Sequence, residues 1–508
     1  MRRFALVVVS CLAISLYPGP SPRAAALEPD QRQELTQWVA THGDDILEEL
    51  TAFLRLPNVS ADRENIAANA RALQAMWERR GAQVRLLPGD GGPYVFVHLP
   101  AQGPATAAPP LTVLFYAHYD GQPVDPARWR VTPPFQPKLV GAPDDPESRI
   151  YARSASDDKS PIIAMAAAVD ALAALGLTRN VDAKFIFDPE EEVGSPHLEA
   201  TLAGHAGLLA ADLLIFADGP VYPTGAPTVV FGTRGIITVE ITVYGPAEPV
   251  HSGHYGNWAP NPAEKLARLL SSMKDAQGHV LVDGFYDQVR PLSAGEKRAL
   301  ARVPPVEDEL RRRLLIARPD GGGRSLQELI NLPSLNVRGL NSGWVGAEAR
   351  TIVPATATAA IDLRLVRDIV PEDQVDLIRA HARRLGFFVV MDEPDAATRR
   401  RHPLVARITQ GAGTRAARTP MDTPLSQAII KAVRRGSGVE PVLLPTLGGT
   451  GPLSRFEDLL GLPTYGVPMV NSDNNQHAPD ENLRLGNLWD GILLYASLLR
   501  FPAVTPAP

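Results

Sequence analysis

The chain has 508 residues, 45% of them hydrophobic and 21% charged, with a formal net charge of −6. That is enough length and apolar content for two or three globular domains with cores of their own. A charge this mild, with no long run of one sign, argues against a nucleic-acid binder.

The N-terminus reads as an export signal. Arg2-Arg3 precede a mostly apolar stretch, Phe4 to Tyr17, which is too short to span a bilayer comfortably. Pro18-Gly19-Pro20 breaks it, and Ala24-Ala25-Ala26 offers a small-residue cleavage site. The expectation is a signal peptide over 1–26, a mature chain from Leu27, and a periplasmic or secreted protein. Val8-Val9-Ser10-Cys11 weakly resembles a lipid-attachment motif, so anchoring at Cys11 is the alternative; the apolar run continuing past Cys11 favours cleavage. Cys11 is the only cysteine. Its removal would exclude disulfides, thiolate metal sites and a cysteine nucleophile together. No later segment is long and apolar enough to span a membrane.

Apolar spacing predicts helices over 30–56 and 64–80 and strands from Tyr94 to Leu99 and Leu111 to Ala117. An Ala-rich helix, Pro161 to Leu175, stops at Gly176. Strands from Ala183 to Phe187 and from Leu213 to Ala217 follow. This alternation predicts an α/β sheet with helices on its faces. The pattern changes near Phe231. A strand (Gly235 to Tyr244), a helix (Pro262 to Met273), a β-rich run (Thr351 to Val366), a helix (Pro371 to Leu385) and a strand (Phe387 to Met391) suggest a smaller α+β insertion. Residues 275–330 read as interrupted helix and 395–420 as an Arg-, Thr- and Pro-rich linker. A helix from Leu425 to Arg435, a strand from Tyr465 to Val470 and a helix from Leu488 to Leu499 return to the first sheet.

Five short motifs carry metal-ligand chemistry: His118-Tyr119-Asp120, Asp157-Asp158-Lys159, Glu190-Glu191-Glu192, Asp218-Gly219 and Gln476-His477. Singly, each has a bland reading as a surface pair, a solvated turn or cap, an exposed acidic run, a turn or a structural loop. Together they supply two imidazoles and several carboxylates, a nitrogen and oxygen set suited to two divalent cations. Several follow predicted strands, where open α/β sheets place their sites.

In kind and order these motifs resemble the M20 family of metallopeptidases, the carboxypeptidase G2/carnosinase-like group, from about Gln33 to Leu499. Val282-Asp283-Gly284-Phe285-Tyr286-Asp287 and Arg290-Pro291-Leu292 look like its dipeptidase branch. The resemblance implies an α/β catalytic domain with a mixed sheet (27–232 and 413–508), interrupted by a ferredoxin-like α+β lid and dimerisation domain (233–412). It implies His118 and Asp218 on one metal, Glu192 and His477 on the other, and Asp157 bridging both, with a cis peptide after it. Asp120 would orient His118, and Glu191 would be the general base. His251 would reach the substrate of a partner subunit and help stabilise the oxyanion. Thr351 and Arg364 would contact the substrate carboxylate, and Gly448, Gly449 and Thr450 would belong to a Gly-rich substrate loop whose amides can bind an anion.

Two divalent ions follow from this, zinc first, with cobalt or manganese open. The implied partners are a small peptide or N-acyl amino acid and a second copy of the chain, with no nucleic acid and no membrane span. The implied reaction is hydrolysis of an amide near a free carboxylate, by a dipeptidase or carboxypeptidase. The alternative is an N-acyl-amino-acid deacylase with the same metals. A non-catalytic binding protein on this fold would have lost Glu191 or a ligand, and none is lost. The chain departs from the branch at Thr446-Leu447, where an Arg-Glu pair is usual, at Ser160, where Gly is usual, and at Ser154-Ala155-Ser156, where the usual approach contains Gly. The first change lies in the specificity loop.

Overall fold

A computed structural model of the chain describes residues 26–102 and 109–501. The expected export segment through residue 25, Cys11 with it, lies outside the described residues. No helix among them is long and apolar enough to cross a membrane.

The larger unit is built on an eight-stranded mixed sheet. Its order is Gln83–Leu87, Tyr94–Leu99, Asp182–Asp188, Thr112–His118, Leu213–Phe216, Thr464–Gly466, Thr228–Val230 and Val442–Leu444. The four strands from Asp182–Asp188 to Thr464–Gly466 run parallel. Parallel strands are covered on both faces, so they read as continuous apolar runs. Thr112–His118 shows why. Val113, Phe115 and Ala117 enter one core, beneath the helices Pro29–Leu54, Lys159–Ala174 and Leu485–Leu499. Leu114 and Tyr116 enter a second core beneath Leu453–Leu460. Lys159–Ala174 is central to the first face, and alanines at five of its thirteen buried positions let neighbours approach closely.

The second unit is a five-stranded sheet in the order Ser334–Asn341, Thr356–Leu365, Gly235–Tyr244, Val405–Gln410 and Phe388–Val390. Helices Pro262–Ser272 and Pro371–Arg384 pack against it. Apart from the short edge strand Phe388–Val390, chain order and strand order are those of a ferredoxin-like βαββαβ unit. Gly235–Tyr244 and Thr356–Leu365 pair over ten residues each, and inward positions such as Ile237, Val239, Ala359 and Ile361 are buried.

Residues 395–420 are not the expected linker. They contain a helix, Ala396–Arg401, and the strand Val405–Gln410, which lies between Gly235–Tyr244 and Phe388–Val390. Val405, Ala406 and Ile408 are buried, but three arginines before the strand and a Gly-rich exit after it hide its periodicity in the sequence. The expected strand from Tyr465 to Val470 is only Thr464–Gly466, and the strands Gln83–Leu87 and Ser334–Asn341 lack a clean apolar alternation, being largely exposed.

Candidate metal centre

The site forms at the C-terminal edge of the parallel strands. Thr112–His118 ends in His118, Leu213–Phe216 stops two residues before Asp218, and Asp182–Asp188 runs into a 3-10 turn, Glu191–Val193. Asp157 and His477 arrive from elsewhere, joined by a small sheet. The strand Asn482–Arg484, just after His477, pairs with Arg149–Tyr151, just before the Asp157 loop. Two segments more than 300 residues apart are thereby set side by side.

Two triads of donor atoms result: His118, Glu191 and Asp218, and Asp157, Glu192 and His477, each within 4.8 Å of one another. Asp157 stands between them. Its Oδ1 lies 2.7 Å from Nε2 of His118 and its Oδ2 3.1 Å from Nε2 of His477. His477 Nε2 is also 3.3 Å from Oε2 of Glu192, and His118 Nε2 is 4.0 Å from Oδ2 of Asp218.

The electrostatics fit cations. Four carboxylates crowd against two imidazoles, and no lysine or arginine among the described residues forms an ion pair with any of the four. Burial, reinforced by the charges of Asp218, Asp157 and Glu192, pushes the Glu191 carboxyl well above its ordinary range. Burial and the Asp157 charge push Glu192 up to about 7 and Asp218 up to about 6. Asp157 goes the other way: burial raises it, but hydrogen bonds from His118 and His477 outweigh that and hold it low. His118 is driven down by burial and more strongly up by Asp120 and Asp157, ending well above an ordinary imidazole. A negative excess out of water, with oxygen and nitrogen donors converging, is the donor chemistry of a two-ion site.

The chain supports these residues from behind. Nδ1 of His118 is 3.2 Å from Oδ1 of Asp120, and the Asp120 carboxylate accepts the amide hydrogens of Glu191 and Glu192 at 3.0 and 3.1 Å. Ser60 donates to the same carboxylate at 2.6 Å. Asp120 thus touches both the histidine and the acidic turn. The Asp157–Asp158 peptide is cis. Asp158 stands at the N-cap position of the following helix, and its side chain accepts from the His118 amide at 3.2 Å.

A profile of "Peptidase family M20/M25/M40" matches residues 114–500. The chain belongs to peptidase family M20. Among curated relatives of this M20 chain, the human Beta-Ala-His dipeptidase is 25% identical, the match covering 97% of this chain and 96% of that protein. A Cys-Gly metallodipeptidase of Schizosaccharomyces pombe is 26% identical over 89% of this chain and 94% of its own. Among solved structures, an M20 family metallo-carboxypeptidase from Sulfolobus solfataricus superposes with a TM-score of 0.75 at 28% identity, covering 90% of this chain and 98% of that one. Human carnosine dipeptidase 1 gives 0.72 at 23% identity, covering 93% and 98%, a likeness of fold.

Within this M20 fold, the remaining sequence candidates fall into two groups. Arg364, on the strand Thr356–Leu365 of the second unit, donates to Oγ1 of Thr450 at 2.8 Å, so these two residues meet across the two units. The amide hydrogens of Gly448, Gly449 and Thr450 find no acceptor among the described residues. His251 and Thr351 lie together instead on the exposed rim of the lid, where the Ser252 amide donates to the Thr351 carbonyl at 3.0 Å. Nδ1 of His251 accepts from the Gly253 amide, and neither residue contacts the metal-site cluster within the chain.

Two residues support this centre in ways the motifs do not announce. Glu481, fully buried, accepts from the amides of Ser154, Ser156 and Asp157, from the Ser156 hydroxyl, and from Arg153 at 2.6 Å. It folds the loop that presents Asp157. Lys159, part of a motif that alone suggests a solvated turn, is fully buried and donates to the carbonyls of Phe53 and Leu56 at 2.8 and 2.9 Å. Burial lowers its amine well below the ordinary range. A single carboxylate four residues past His477, or a lysine beside two aspartates, carries no periodic or spacing signal.

Proposed function

We propose that the chain is a di-metal dipeptidase acting on small peptides with a free C-terminal carboxylate. The observation that carries this reading is Asp157, with one oxygen on each imidazole inside a cluster of carboxylates that no described lysine or arginine pairs with. His118 and Asp218 would hold one divalent ion, Glu192 and His477 the other, and Asp157 both. Zinc is the ion we assign first. When bound, such a pair supplies Lewis acidity and an acidified water.

The chain's own residues do the rest. Glu191, a member of the first triad and next in sequence to Glu192 of the second, accepts the proton of the attacking water, later returning it to the leaving amine. Asp120 keeps the His118 ring and the Glu191-Glu192 backbone in register. Arg364, Thr450 and the free amides of Gly448 and Gly449 receive the substrate carboxylate, a guanidinium beside a small anion-binding loop. Thr351 and His251 complete the site from a second copy of the chain, joined through the lid. In support, Ser334–Asn341 is an edge strand with Val337 and Leu340 exposed, and Trp258, on the His251 segment, is 81% exposed. We also propose export, on the reading of residues 1–26.

One observation favours a second reading, hydrolysis of N-acyl amino acids. Where the dipeptidase branch carries Arg-Glu, Thr446 bonds to Asn331 at 2.9 Å, and Leu447 lies near Gly219, next to Asp218. An apolar side chain there suits an acyl group better than an ammonium.

The test is a panel of dipeptides and N-acyl amino acids, with zinc, cobalt or manganese, beside a Glu191→Ala control. Dipeptide cleavage absent from the control supports the first reading. Cleavage confined to N-acyl substrates replaces it with the second.

A further inference from the structure

We propose that Arg455 is a positioning residue for the reaction. Its guanidinium fixes the backbone turn that presents Glu191 and Glu192, and its helix couples that turn to the lid. This rests on the roles proposed above for those two glutamates.

The turn needs an external hold. After the 3-10 segment Glu191–Val193, Gly194 and Ser195 are both left-handed, at φ 87° and 46°. Gly194 takes that conformation freely, but Ser195 does not, and a non-glycine there persists only where its surroundings determine it. On the near side of the turn, Asp120 accepts the amides of Glu191 and Glu192. On the far side, Nη1 of Arg455 donates to the Ser195 carbonyl at 2.6 Å and Nη2 to the Gly194 carbonyl at 3.0 Å. The two arms of one planar group bind successive carbonyls, a geometry lysine cannot reproduce. The Arg455 side chain is only 19% exposed, and the bond to the buried Ser195 is the more shielded of the two, Gly194 lying at the surface.

Arg455 also stands on an element that the lid grips. It belongs to the helix Leu453–Leu460, which begins two residues after the loop Gly448–Gly451. Two residues along that helix, Glu457 pairs with Arg367 of the lid. Arg367 lies three residues past Arg364, whose guanidinium meets Thr450 in the same loop. Lid, carboxylate loop, helix and catalytic turn are thus linked by three polar contacts and the short stretches of backbone between them. A lid that shifts on binding substrate would pull on the glutamate turn through this helix. Coupling of this kind is demonstrated by double-mutant cycles rather than by adjacency.

The experiment uses the full-length enzyme carrying Arg455→Met, Arg455→Lys, Arg367→Met, or both methionine changes. The expected result for Arg455→Met is a kcat about 10²-fold lower, the scale on which small misplacements of catalytic groups act. KM should be nearly unchanged, bound metal still two ions per chain, and thermal midpoint close to that of the parent. Arg455→Lys should recover little of the loss. In the metal-free protein, amide exchange over 193–195 should quicken in Arg455→Met. Arg367→Met should lower kcat less, and the double variant should be no worse than Arg455→Met. An unchanged kcat, or a loss matched by lost metal, would overturn the positioning role. Effects of the two arginines that simply multiply would overturn the coupling to the lid. Turnover by a Glu191→Gln enzyme would instead sink the underlying glutamate assignment, whatever Arg455 does.

Discussion

The metal centre and the lid rim hold their candidate residues in opposite ways. His118, Asp157 and Asp120 are buried, and each has at least two partners within the chain. His251 and Thr351 are exposed, and the single side-chain bond of His251 is to its own turn. A buried cluster must be satisfied locally, because unpaired polar groups out of water cost several kcal/mol. An exposed pair is under no such constraint and is free to meet a partner. The centre is therefore legible in one chain, whereas the role proposed for the rim needs a second copy docked on it.

The largest effect expected is at the carboxylate between the triads. Asp157→Ala should remove all activity and both ions, because the imidazoles of both triads lose the carboxylate oxygen that faces them. Metal analysis after dialysis checks this, and retention of either ion would contradict the bridging role. Next is the rim. His251→Ala should leave two ions in place and lower kcat by about 10²–10³-fold, the usual cost of one oxyanion donor. Mixing it with Glu191→Ala chains should restore part of the activity if His251 acts on a partner's site. Activity that stays at the sum of the two separate variants would erase the contrast between centre and rim.

Much of this was readable beforehand, for physical reasons. His118 and Asp218 follow apolar strands whose ends form the site, so strand pattern and ligand type agree at the same positions. Asp157 and His477 are joined by Arg149–Tyr151 and Asn482–Arg484, three-residue strands too short to announce themselves. Their proximity came from family resemblance and could not have been derived from periodicity. The strand Val405–Gln410 was hidden by its basic neighbours. Glu481 and Arg455 were invisible because each acts on backbone amides or carbonyls, and backbone groups have no sequence signature.

Glu481 turns that lesson into a measurement. Its carboxylate receives three amides of the 154–157 loop. Glu481→Gln would set an NH2 against some of those donors. The expected result is a 10–100-fold weaker hold on metal, the range for groups that orient ligands from behind. Titration with a competing chelator reads it directly. Affinity within about twofold of the parent would mean that Asp157 is held by its own helix and not by this carboxylate.

The smallest effect concerns protons at the one half-exposed ligand. In the metal-free chain, the hydrogen bond to Asp157, helped by the charges of Glu192 and Asp157, lifts His477 to about 8. The raised value means that protonated His477 stabilises the empty folded chain fully below the ordinary imidazole range, near 6.5. That contribution fades as pH rises through 8. Metal needs the neutral ring, so every ion bound between those limits must displace this proton. Affinity should therefore rise about tenfold per pH unit up to about 8 and flatten above it, as far as this residue is concerned. Below 7 the slope should steepen, because Glu192, at about 7, and then Asp218, at about 6, bind protons as well. The same titration on His477→Gln should lose the step near 8 and keep the lower ones. A parent whose affinity is flat from pH 6.5 to 8 would show that His477 is neutral before metal arrives, and that the Asp157 contact does not carry a proton.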